Sequence, residues 1–253
     1  EQYDFILYHF TSQMNGDEEL AKKVIAHVST DVAPRWGVRP STNTITEKLY
    51  EGFVEKFNAH LTQYPYLLGG KPCLGDFGLM CPLYGHLGRD PVPNRLLQMR
   101  GPWVHRWVER MNRPEPDTGE YINLPHSFLQ DDEVPETIIE LLTHFAHDFV
   151  PETIASHSGI NQWLEENKPA IGAQCERYTG EAEFDVEGTA IHVCPQPFRF
   201  YLLERVQSAI QALKGSDQAD AMALLDTCNM TAVLDLKLDR KIGRANNLEV
   251  WLD

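Results

Sequence analysis

The chain has 253 residues, 42% of them apolar and 10% aromatic, enough to bury a large core and unlike a disordered or fibrous sequence. Lys and Arg number 22 against 37 Asp and Glu, and the net charge of −15 would repel nucleic acid and anionic lipid surfaces alike. No segment approaches the roughly 18 apolar residues of a membrane span, and Cys73, Cys81, Cys175, Cys194 and Cys228 form no C-x-x-C pair, so reduced thiols in a cytoplasmic protein are expected, with no membrane and no nucleic-acid partner.

The first residue is Glu1, not Met, and it already stands in a helical pattern, so further residues are expected to precede it. Tyr3, Ile6, Leu7, Phe10 and Met14 share one helical face, and Asn15-Gly16 ends that helix. Asp17 is placed to cap the next helix, whose stripe is Leu20, Val24, Ile25, Val28 and Val32. Residues 34–40, PRWGVRP, read as a loop around Trp36. Thr44-x-x-Glu47 reads as a capping box that opens a long helix, with Ile45, Leu49, Phe53, Phe57 and Leu61 on its apolar face.

Gly69 and Gly70 then permit backbone angles that other residues resist. With Cys73 as N-cap, Asp76 falls at N3, where its carboxylate reaches back to the Cys73 amide and meets the helix dipole favourably. Pro72 and Phe77 have the spacing of a hydrophobic staple. Pro82 is expected to kink this helix, Gly88 to end it, and Asp90-Pro91 to prevent its continuation. Gly101-Pro102 opens the next helix, in which Trp103, Trp107 and Met111 stack beside Val104 and Val108 as core residues.

Residues 64–111 resemble the core of the C-terminal, all-helical domain of cytosolic glutathione S-transferases. In that family a Gly-x-x-Ser/Thr-x-Ala-Asp-apolar run opens the central buried helix, and a Trp-bearing helix follows. Gly70, Asp76 and Phe77 match the run; Cys73 stands where a hydroxyl cap is usual, and Gly75 where alanine is usual. The resemblance implies a bundle wrapped around an interior helix that begins beside a shielded Asp76 and continues through Leu83. It also implies glutathione as co-substrate, conjugated to an electrophilic small molecule, and assembly as a homodimer.

Beyond the bundle, residues 112–130 read as a long loop. Pro135 begins a helix carrying Ile138, Leu141, Leu142, Phe145 and Phe149, and a short separate helix is expected near Ile160 to Glu166. Alternation in Glu181 to Val186 and Thr189 to Cys194 about Glu187-Gly188 predicts a β-hairpin. Helices are expected over Phe198 to Leu213 and Ala219 to Cys228, and a short strand pattern runs from Val233 to Leu238. The fold expected is therefore mainly α: a transferase-like helical bundle over residues 1–114, and an α-rich extension over residues 115–253 with a hairpin near 181–194.

The family keeps its thiol-activating residue and most glutathione contacts in an N-terminal thioredoxin-like lobe, and no opening βαβ pattern for such a lobe is present in this chain. No catalytic residue is therefore assigned, and the chain alone is expected to be inactive and to bind glutathione poorly. By analogy of position, Tyr3, Tyr8, His9 and Trp36 are the candidates for the electrophile pocket, while Cys73 and Asp76 are structural caps. The alternative is a non-catalytic scaffold of the same shape, reused for protein interaction or ligand binding. Glu140, His144 and His147 lie in one arc of a helix at a spacing that suits divalent-metal ligands, although a solvated helix face explains them as well and no metal is assigned. His192 and Cys194, on alternate strand positions, would share a face, the one arrangement that points to a reactive thiol. Lys237 to Arg244, KLDRKIGR, is a small basic patch read as local ion-pair partners.

Overall fold

Local capping chemistry sets several of the helix starts. The computed structural model describes residues 2–114 and 119–253. Helix α1 spans Gln2–Gln13, and α2, Glu18–His27, starts where the Asp17 carboxylate accepts the Leu20 amide at 2.9 Å. The helical run continues through a π-turn at Val28–Val32 into α3, Ala33–Arg35, so the loop expected from Pro34 begins at Trp36 instead.

Helix α4 covers Asn43–His60. The expected capping box at Thr44 is not its start, because Thr44 already lies within the helix. Thr42 holds that end: its hydroxyl donates to the Gly37 carbonyl at 2.6 Å and accepts the Arg39 amide at 3.0 Å. Helix α5 is Leu74–Pro82, and beyond the proline it widens into a π-turn at Leu83–Leu87 that closes with Gly88 donating to Leu83. Pro91 opens α6, Pro91–Arg100, a helix that the sequence reading left out because it took Asp90-Pro91 as a stop. Gln2 caps its start, donating to Asp90 at 3.3 Å and accepting the Val92 amide at 3.1 Å. Helix α7 is Pro102–Met111.

Helix α8 runs unbroken over Glu136–Asn167, so the two helices expected here are one. Pro151 lies inside it, and the Thr153 hydroxyl donates to the Phe149 carbonyl at 2.6 Å in the same weakened turn. Strands β1, Ala182–Val186, and β2, Thr189–Val193, form the expected antiparallel hairpin, with Glu187 and Gly188 both at positive φ in the turn. Helices α9, Pro197–Ala212, and α10, Ser216–Thr227, follow. The strand pattern at 233–238 is not a strand: a 3₁₀ turn occupies Thr231–Val233, and a second hairpin, β3 (Ile242–Ala245) with β4 (Leu248–Trp251), lies further on. The protein is thus mainly helical, with two small hairpins.

The chain divides into two compact units, residues 1–28 with 47–144 and residues 29–46 with 145–253. The core of the first unit gathers Phe57, Leu61, Leu97, Val104 and Trp107, with the Phe57 and Trp107 rings edge to face at 5.0 Å. Of the loop expected over residues 112–130, residues 115–118 lie outside the described residues, and its end is tied down: Gly70 donates to Ser127 at 2.8 Å and Leu129 donates to Leu68 at 3.0 Å. In the second unit, Ile160, Leu164, Cys175, Phe200, Ile242 and Trp251 form the core, and the β3–β4 hairpin is joined to residues 172–175 by backbone bonds from Trp251 to Ala173 and from Cys175 to Glu249. Residues 29–46 belong with this unit because Cys194 donates to the Arg35 carbonyl at 2.8 Å and Gly37 packs on the Ile191 side chain.

Candidate functional site

The fully buried carboxylate of Asp76 organises the first unit. One oxygen accepts the Cys73 amide at 2.9 Å, which is the expected N3-to-N-cap bond. The other accepts the Leu67 amide and the Trp107 indole N–H, each at 3.2 Å. Three N–H donors thus converge on one carboxylate and join the turn before α5, the first turn of α5 and the centre of α7. The returning half of the box, from the helix amide to the Cys73 sulfur, is weak because a thiol is a poor acceptor. Burial, with the Asp76 carboxylate beside it, pushes the Cys73 thiol above its ordinary range, so it stays protonated and serves as a cap rather than a nucleophile.

Two buried polar groups that the sequence reading did not single out support the same region. His60 Nε2 faces the Tyr66 carbonyl at 3.1 Å and its Nδ1 faces the Thr137 hydroxyl at 2.8 Å. Those partners suit a neutral ring with the proton on Nε2, and burial lowers the His60 pKa accordingly. Arg110 is also buried, its guanidinium over the rings of Tyr66 and Tyr121 at 5.7 and 5.2 Å, with Glu120 at 3.5 Å. Burial raises both tyrosine hydroxyls above their ordinary pKa, so neither supplies a phenolate at neutral pH. No recurrent spacing marks these contacts, which run across turns and loops, from His60 to Tyr66 and Thr137 and from Arg110 to Tyr66 and Glu120.

The expectation of an enclosed helix holds on one side only. Asp76 and Leu83 face the core, whereas Leu74 is 88% and Phe77 59% exposed. Cys81 is exposed on the same face, and a Cβ placed on Gly78 would meet nothing. Positions 74, 77, 78 and 81 form one stripe of a helix, so the correction concerns a whole face, not a single side chain. The physical reason is that an apolar helix reads alike in sequence whether one or both of its faces are covered.

Of the electrophile-pocket candidates, Tyr3, Tyr8 and His9 lie on α1 in the first unit and Trp36 lies in the second. The His9 ring packs on Phe5 at 4.2 Å and edge-on to Tyr8 at 5.8 Å. Tyr8 is 73% exposed, and Tyr3, five residues away, projects from another side of the helix. In the second unit, His192 and Cys194 do line one open cleft of 620 Å³ together with Arg39 and Glu183, and His192 stands 3.1 Å from the Glu183 carboxylate. His144 faces the Leu49 carbonyl at 2.8 Å and His147 faces Glu187 at 3.4 Å, and among the described residues no three His, Cys, Asp or Glu side chains are grouped to hold a metal ion. Cys175 is inert, its thiol pushed by burial, and by Glu176 and Glu249, up to about 12. Among the described residues no helix is long and apolar enough to cross a membrane. No protein-family model, no curated protein and no solved structure matches the chain.

Proposed function

We propose that this chain is the helical half of a cytoplasmic glutathione S-transferase-like protein. In this reading a thioredoxin-like lobe of the full-length protein holds glutathione and stabilises its thiolate. The sulfur attacks an electrophilic carbon, the S–C bond forms, and the leaving group departs with its electron pair. Tyr8 and His9, which pack together on α1, border the electrophile, and two copies assemble as a homodimer. The observation that carries the reading is α5 itself. It begins at a Cys73–Asp76 box, its aspartate is tied to Trp107 of α7, and its opposite face shows Leu74, Phe77 and Cys81 to solvent. The open face departs from the enclosed helix that the resemblance implies, and in this reading another lobe of the full-length protein covers it.

Glutathione-dependent conjugation of 1-chloro-2,4-dinitrobenzene by the full-length gene product, with release of chloride, is the test. Activity that vanishes without glutathione is expected, and a full-length product with none overturns the enzymatic reading. The open face of α5 also favours a second reading, a transferase-like scaffold that binds another protein there without catalysis. Conjugation activity decides against it.

A further inference from the structure

In the second unit, α9 and residues 236–242 line a partly open cavity of 240 Å³. Phe200, Leu238 and Ile242 give it an apolar wall continuous with the core around Trp251, and Ser208 and Gln211 add polar lining beside them. Gln207, buried, stands at its base. The Gln207 amide nitrogen uses both hydrogens on backbone carbonyls, donating to Val233 at 2.8 Å and to Leu236 at 2.9 Å. Its amide oxygen is left as an acceptor that asks for a donor. At the rim stand three cations, Lys237, Arg240 and Lys241, against one acid, Glu204. Arg240 is occupied with the Pro169 carbonyl at 2.7 Å. Among the described residues Lys237 and Lys241 have no ion-pair partner, so the reading of this patch as local ion pairs does not describe them. In a chain with a net charge of −15, two unpaired ammonium groups over an apolar slot are a local reversal of sign.

We propose that this cavity binds a small hydroxylated organic acid. The carboxylate meets Lys237 and Lys241 at the rim, a flat apolar body lies against Phe200, Leu238 and Ile242, and a hydroxyl at the far end donates to the Gln207 amide oxygen. The volume sets the size class. Pockets for drug-sized ligands run from about 300 to 1,000 Å³, so a cavity of 240 Å³ suits a body of roughly ten heavy atoms. The acceptor at the base distinguishes a hydroxy acid from a plain fatty or aromatic acid, because a ligand without a donor leaves that oxygen unmatched. All of these residues belong to the second unit, so the assignment stands or falls apart from the transferase reading.

The probe is 4-hydroxybenzoate, titrated into the whole chain and followed by backbone and side-chain amide NMR. Saturable shifts at the Gln207 side-chain amide and at Leu238 and Ile242 are expected, with half-saturation near or below about 1 mM for a ligand of this size. Benzoate, which lacks the donor, binds about threefold to tenfold more weakly, and so does the neutral 4-hydroxybenzyl alcohol, which lacks the charge. The exposed Lys237→Ala, Lys241→Ala double substitution leaves the fold intact, as a matching spectrum verifies, and weakens binding at least about fivefold. The absence of saturable shifts, equal affinity for benzoate or the alcohol, or unchanged affinity in the double variant would each overturn the assignment.

Discussion

Replacing Asp76 by Ala removes the acceptor of three N–H groups at once. In the wild type the buried carboxylate takes the Trp107 indole in a buried bond at 3.2 Å, and the Leu67 and Cys73 amides in half-buried bonds at 3.2 and 2.9 Å. A donor left buried without a partner costs about 1–3 kcal/mol, so three would cost about 3–9 kcal/mol if nothing relaxed. Water entering the space left by the carboxylate can satisfy some of them, which places the expected loss near 3–6 kcal/mol. With a urea m-value of about 2 kcal/mol/M, the unfolding midpoint of the first unit falls by about 1.5–3 M. The assay is urea unfolding followed by tryptophan fluorescence, with Trp107 and Trp103 reporting on the first unit and Trp163 and Trp251 on the second. Asp17→Ala is the control, since Asp17 makes one exposed capping bond to Leu20 and its loss costs about 1 kcal/mol. If Asp76→Ala lowers stability no more than Asp17→Ala does, the carboxylate is not the anchor described here.

Two further outcomes follow from the same unit. Because burial lowers the His60 pKa, the unfolded chain takes up a proton that the folded one refuses, so the stability tied to this ring is complete above about pH 6.5 and declines as pH falls below it. Urea midpoints at neutral and mildly acidic pH should therefore separate in the wild type more than in His60→Gln; equal separation refutes the neutral-ring assignment. Gly70→Ala would set a Cβ 2.0 Å from the Pro125 carbonyl oxygen, a backbone clash, whereas a Cβ on Gly78 meets nothing and relieves a helix-interior glycine. The expected results are a loss above about 2 kcal/mol for the first and a gain of about 0.5–1 kcal/mol for the second, read by thermal unfolding; two changes of the same sign contradict the geometry.

Much of the fold was legible where a local signal had one meaning. Asp17 and Asp76 marked helix starts because a carboxylate three residues before or after a free amide has few other uses. Glu187-Gly188 marked a hairpin because the turn needs two positive φ angles. Pro91 was ambiguous: the same ring that stops one helix suits the first turn of another, and Gln2, far away in sequence, completes that cap. The continuity of α8 was hidden because Pro151 and Gly159, both poor helix formers, stand between the two expected helices; Gly159 is required there because a Cβ would stand 2.5 Å from the Glu181 carbonyl. The second hairpin offered only four-residue strands, with Asn246-Asn247, both at positive φ, as its one clear mark. At the candidate site the Asp76 box was readable from spacing, but its bonds to Leu67 and Trp107 were not, because they cross between elements. Nor could an apolar stretch say that Leu74 and Phe77 face outward.

Whether the outer face of α5 is met by a further lobe is tested most directly by the chemistry of Cys81, which lies exposed on that face beside Leu74 and Phe77. Labelling with a thiol reagent is compared between this chain and the full-length gene product, with Cys81→Ser identifying the phase that belongs to it. Rapid modification of Cys81 in this chain and marked protection in the full-length product is the result expected of a helical half that carries a covering lobe. Equal rates in the two would contradict it, and the transferase reading would lose its support.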